Sequence, residues 1–125
     1  MQSPHGYVSQ AFRPPFMARN GIVTSGHQLA SQAGVRTMMA GGNAVDAAIS
    51  TAAALGVVEP QSSGAGGDGF LLIYDTESSA VHAVNATGPA PQEATRERYL
   101  AEGGIPMRGM RSVSVPGLVD GWLLA

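Results

Sequence analysis

The stretch from Gly41 to Gly69, GGNAVDAAISTAAALGVVEPQSSGAGGDG, constrains this chain more than any other part of it. A Gly-Gly turn runs into a segment of almost entirely small residues, which stops at Glu59-Pro60 and opens into a loop of Ser, Gly and one Asp. Small residues along a helix let a neighbour pack close, and glycines in a loop let another stretch of main chain approach. The segment therefore predicts one tightly packed helix followed by one closely approached loop.

The flanking sequence sets the element order. Residues 1–20 read as an irregular lead, and Gly21 to Ser25 (GIVTS) as a short strand. His27 to Ala40 has helical character, with Leu29, Ala33, Val35, Met38 and Met39 forming one broad face. Gly41-Gly42 is a helix stop, and Asn43 is an N-cap for the next helix, with Asp46 in its favourable first turn. That helix, Ala44 to about Val57, is apolar on nearly every side and is expected to be buried on more than one face. Phe70–Tyr74 and Val81–Val84 read as buried strands of a hairpin joined by Asp75–Ala80. Thr95 caps a short helix to Ala101, closed by Gly103-Gly104. Ser112–Val115 reads as extended, and a last helix starts after Pro116. The sum is an α+β or layered α/β arrangement in one unit, residues 21–125. Because the last helix reaches Ala125 as an uncapped apolar turn, the chain reads as a piece of something longer.

Composition removes several function classes. The 125 residues carry a net charge of −2, and only 13% are charged. All seven cations are Arg, scattered from Arg13 to Arg111, so no basic patch marks a nucleic-acid or anionic-membrane partner. With no cysteine, disulfides and thiolate metal sites are excluded. His5, His27 and His82 lack zinc-site spacing, and no cofactor or metal is expected. No signal-peptide core is visible, and the apolar run Ala44–Val58 is too short to span a bilayer, so the default expectation is a cytoplasmic protein, or a periplasmic or secreted one if a leader has been removed.

The loop Ser62–Gly69 is the first place to look for chemistry. A phosphate cradle would want a strand before it, a helix after it and a Lys within it. Here the order is reversed and the chain has no Lys, so the expected role is a helix-to-strand turn in which Gly supplies positive φ. Asp68 is expected to cap that turn by accepting backbone N–H bonds. His27, at a helix start, reads as a local hydrogen-bonding residue. Ser25, Ser62 and Ser63 lack the strand–turn–helix elbow of a serine hydrolase. No nucleophile with its base is visible.

Several segments, in order, resemble the gamma-glutamyltranspeptidase family: GIVTSGHQLASQAG (21–34), GGNAVDAA (41–48), LGVVEPQSSGAGGDGFLLIYD (55–75) and SVSVPGLVDG (112–121). The resemblance implies an N-terminal-nucleophile hydrolase with a four-layer α/β/β/α sandwich, of which this chain is the opening part of the large subunit. It also implies a precursor that cuts itself, freeing an N-terminal Thr as nucleophile, with its own amine as base. That Thr lies outside this chain, which alone is expected to be inactive. The implied partners are a small amide or γ-glutamyl substrate, the rest of the large subunit and the small subunit.

One departure concerns the substrate. Where transpeptidases of the family usually read Arg-Glu-x-Ala-Pro, with Arg holding the α-carboxylate of the γ-glutamyl group, the stretch anchored on Ala90-Pro91 reads Asn85-Ala86-Thr87-Gly88-Pro89. Thr87 falls in the Arg position, and Thr87 and Asn85 are the implied substrate-binding residues; the alternative is that Thr87 is a plain turn residue before Pro89. A guanidinium makes two charge-assisted hydrogen bonds to a carboxylate, whereas a hydroxyl offers one neutral donor. The exchange is expected to weaken glutamyl binding by on the order of 2 to 4 kcal/mol. Asp68, where many transpeptidases carry Gly, is a second difference. Both point to a divergent branch acting on another small amide, such as oxamate or an acylated amine. The alternatives are an authentic γ-glutamyl hydrolase or transferase using Arg96 or Arg98, and a non-catalytic homologue serving as a binding or structural module.

Overall fold

A computed structural model of the chain describes residues 15–125. His5, Arg13 and the first fourteen residues of the expected lead lie outside the described residues, and residues 15–20 have no regular structure. The elements that follow are α1 (Gln28–Met39), α2 (Ala44–Val58), β1 (Phe70–Asp75), β2 (Ala80–Asn85), α3 (Arg96–Ala101), a 3-10 turn at Met110–Ser112, and α4 (Leu118–Leu124).

Local capping explains where the helices begin and end. The His27 ring accepts the Leu29 N–H at 3.2 Å, so His27 is the N-cap of α1 and has the local role expected of it. At the other end Gly42 N–H reaches Thr37 O and Gly41 N–H reaches Met38 O, both at 3.0 Å. This pair of bonds satisfies two orphan carbonyls, and it needs Gly41 at φ 100°, a conformation that glycine adopts without strain. Asn43 and Asp46 then form a reciprocal capping box that starts α2. Thr95 caps α3 one-sidedly, its hydroxyl accepting the Arg98 N–H with no reciprocal bond.

The α1–α2 pair packs through its smallest residues. Ala30 and Gly34 of α1 and Ala47 and Thr51 of α2 are the buried ones. A Cβ at Gly34 would stand 2.9 Å from Ala47 O and overlap the Thr51 hydroxyl. The seam is closed by Thr37 Oγ1 donating to Ser50 Oγ at 2.8 Å. This corrects the expected face of α1: Leu29 and Met39 point to solvent, because the helices meet closely where side chains are absent or small. Gly21–Ser25 has no strand partner among the described residues; instead it lies across the helix pair, with Val23 near Gly34 and Gly21 near Met38.

β1 and β2 form the expected antiparallel hairpin, in register from Phe70 opposite Asn85 to Asp75 opposite Ala80. Asp75 holds its turn by accepting the N–H groups of Glu77 (3.0 Å) and Ser78 (3.1 Å). The strands are less covered than their sequence predicts. Phe70, Leu72 and Tyr74 are 74%, 79% and 62% exposed, and Val57 of α2 is 79% exposed. Among the described residues no element lies over them, so the burial expected for the hairpin and for several faces of α2 is not met within residues 15–125. Ser112, expected to be extended, belongs to the 3-10 turn, and the extended path starts at Val113. No helix among the described residues is long and apolar enough to cross a membrane.

Candidate functional site

Three segments distant in sequence cross at one point: the glycine loop through Asp68, the turn after β2, and the run from Ser114 into α4. Gly69 and Ala86 exchange N–H···O bonds at 3.3 and 2.9 Å, which extends the hairpin by one pair. Gly67 O accepts the N–H groups of Gly117 (3.3 Å) and Leu118 (3.1 Å), so the loop supplies the cap of α4. Val115 N–H donates to Pro89 O at 3.0 Å. The crossing is tight enough to require small residues. A Cβ on Gly88 would overlap the Val115 carbonyl, one on Gly117 would lie 2.6 Å from Ala86 O, and one on Gly121 would overlap the Ala86 methyl. Ala86 is 4% exposed and is the buried centre of the crossing.

Asp68 holds the three segments together. Its Oδ1 accepts the Gly88 N–H at 3.1 Å, and its Oδ2 accepts the Ser114 hydroxyl at 2.7 Å. The Ser114 bond, and then the Gly88 bond, keep its carboxyl below the ordinary carboxylate range. It does accept a backbone N–H, as expected, but one 20 residues away rather than in its own turn. The loop glycines also differ from expectation. None of Gly64, Gly66, Gly67 and Gly69 has positive φ; Gly69 is small because a Cβ there would meet Leu118 Cδ1 at 2.5 Å. Nothing in the structure explains Gly64 and Gly66, which face open space.

Asn85 and Thr87 flank Ala86 at the end of β2, both exposed. Asn85 Oδ1 accepts the Thr87 N–H at 3.0 Å and the Thr87 hydroxyl at 2.6 Å. The hydroxyl proton is thus committed within the turn. What the pair offers a ligand is the Asn85 amide as donor and the lone pairs of Thr87 Oγ1 as acceptor. Of the two arginines considered as substitutes, Arg98 is engaged with Glu93 at 2.9 Å and Glu102 at 3.5 Å. Arg96 lies on a cleft of about 590 Å³ between α3 and residues 111–114. A second cleft, of about 520 Å³, separates α2 from β1, with Asp68 and Trp122 among its lining residues. Ser25 donates to His27 O at 2.9 Å and lies 2.7 Å from Ser31 Oγ, a local arrangement at the start of α1.

Sequence reasoning missed Ser114 and Gly88 as the partners of Asp68. The one available signal was an acid set among glycines, and it does not reveal partners 20 and 46 residues away.

Known proteins share both sequence and structure with this chain. The sequence model of the gamma-glutamyltranspeptidase family matches residues 30–125. A glutathione hydrolase-like proenzyme of Bacillus subtilis, YwrD, is 46% identical over 102 residues, which are 81% of this chain and 19% of that protein. The oxamate amidohydrolase proenzyme of Klebsiella pneumoniae is 39% identical over 110 residues, 87% of this chain and 21% of its own length. Among solved structures, a cephalosporin acylase from Bacillus halodurans superposes with a TM-score of 0.83 at 41% identity, covering 98% of this chain and 23% of that one. The gamma-glutamyltranspeptidase of Helicobacter pylori does so at 0.78 and 33%, covering 87% and 32%. The chain therefore spans about a fifth of the length of the curated relatives it matches. Its helices and hairpin are part of an N-terminal-nucleophile hydrolase fold, an α+β arrangement as expected. The family's sequence model matches residues 30–125, a solved member superposes on 87% of the chain, and the chain belongs to the gamma-glutamyltranspeptidase family.

Proposed function

We propose that the whole protein is a self-cleaving amidohydrolase or acyltransferase acting on a small amide or γ-glutamyl bond, and that residues 21–125 form the opening part of its large-subunit region. Family membership and the proenzyme names of the relatives support this reading. In it, an N-terminal Thr freed downstream of this chain attacks the amide carbonyl, with its own amine taking the hydroxyl proton. The amine or ammonia leaves, and water or an amine acceptor then releases the acyl group. The rest of the large subunit and the small subunit are the partners that complete the site.

The observation that carries the substrate class is the Asn85–Thr87 turn. Its free side-chain donor group is the neutral Asn85 amide, and the Thr87 hydroxyl proton is already spent on Asn85. Such a pair suits another small amide better than a γ-glutamyl group whose α-carboxylate calls for two charge-assisted bonds. The engagement of Arg98 with two glutamates weighs against its standing in for the family Arg.

Intact mass and N-terminal sequencing of the product of the full reading frame test the chemistry. Two chains, the smaller beginning with Thr, are expected; a single uncut chain under folding conditions would point to a non-catalytic relative. The Thr87→Arg variant tests the substrate class. We expect it to raise kcat/KM for a γ-glutamyl anilide by about tenfold or more. No gain would favour an authentic γ-glutamyl enzyme that already holds the carboxylate elsewhere.

A further inference from the structure

We propose that Asp68 is a positioning residue for the acyl-donor site: it clasps the Asn85–Thr87 turn to the glycine loop and to Ser114, and so fixes where the Asn85 amide and Thr87 oxygen stand. The inference rests on the reading that this turn lines the donor pocket.

The geometry distinguishes Asp68 from an ordinary turn-capping acid. Asp75, in the hairpin, accepts from Glu77 and Ser78, two and three residues on. Asp68 instead places its oxygens on Gly88 and Ser114, across 20 and 46 residues. The Gly88 N–H belongs to the planar peptide that begins at the Thr87 carbonyl. A bond at that N–H therefore restrains the backbone of Thr87. The near end of the turn is already held by the ladder, through Asn85 opposite Phe70 and Ala86 bonded to Gly69. Its far end is held from the Ser114–Val115 segment, since Val115 N–H reaches Pro89 O while Ser114 reaches Asp68. Asp68 is the side chain that joins both restraints.

The test uses the full-length, self-processed protein and whichever of γ-glutamyl-p-nitroanilide, 4-aminobutanoyl-p-nitroanilide and oxamate it turns over fastest. Asp68→Ala removes both bonds and is expected to raise KM about tenfold with kcat within about twofold. Asp68→Asn keeps an acceptor for Gly88 and a polar partner for Ser114, and should return KM to within about threefold of the parent. Ser114→Ala, which removes one bond, serves should Asp68→Ala fail to process, with a rise in KM of about threefold. A purely structural role would lower the yield of cleaved enzyme and leave KM unchanged, which overturns the inference. If Thr87→Ala raises KM and neither Asp68→Ala nor Ser114→Ala does, the pocket reading stands and the clasp falls. If Thr87→Ala is also silent, or none of the three substrates is turned over, both fall.

Discussion

At Asp68 the balance of forces is set by two donors, and their effect has a definite pH dependence. Both donors stabilise the charged form, so the folded carboxyl titrates below its ordinary value of 3.8. A depressed acid stabilises the fold above the unfolded pKa and loses that contribution as pH falls from 3.8 through the lower folded value. The gap in thermal midpoint between the full-length parent and Asp68→Asn should thus be constant from neutral pH down toward 3.8 and close below it. A gap that already closes near neutral pH would mean that another group is titrating. Gly88 presents the opposite situation, in which no charge is involved and only space matters. Gly88→Ala would place a methyl on the Val115 carbonyl, and an overpacked site of that kind costs about 1–3 kcal/mol. Denaturant unfolding of the full-length variant would show it as a lowered midpoint.

Among the elements, the α1–α2 pair is the best-defined unit, and its stability is divided between caps and seam. Asn43→Ala removes the side chain that accepts the Val45 and Asp46 N–H groups. A lost N-cap of this kind costs about 1 kcal/mol. Gly34→Ala should be at least as damaging, because the seam has a carbonyl and a hydroxyl where the methyl would go. Comparing the two by thermal melts separates local helix initiation from interhelical closeness. Asn43→Ala should be partly rescued by Ser or Asp at the same position, whereas at Gly34 no side chain fits. The hairpin shows the reverse design. Its turn is satisfied by Asp75, yet β1 is apolar on both faces, the pattern of a strand covered from both sides.

For the whole molecule, surface area is the deciding quantity. The chain exposes 10302 Å². A compact monomer of its mass of 12.8 kDa would expose roughly 6,300 Å². No large side chain among the described residues is fully buried, and the apolar core consists of Ala30, Ala47, Ala86 and Leu118. We expect residues 1–125 expressed alone to bind a hydrophobic dye and to lack a cooperative thermal transition. A sharp transition from a monomer would contradict the proposal that these residues are only the opening part of a larger folded unit.

Much of the fold was legible because its causes are local. The stop at Gly41-Gly42, the Asn43 cap, the Thr95 cap and the polar Asp75–Ala80 turn each depend on residues within a few positions. The family signature was readable for the same reason, since it is an ordered run of such local signals. What the tertiary structure alone decided involves distance. It chose Ala30 and Gly34 over Leu29 and Met39 as the packing face, because closeness between helices outweighed hydrophobicity. It left Gly21–Ser25 without a strand partner among the described residues, since a strand is defined by its neighbour and not by its own residues. It also turned Asp68 from a turn-capping acid into the link between Gly88 and Ser114. The amino-acid sequence determines which groups can donate and accept; only the folded chain determines which of them meet.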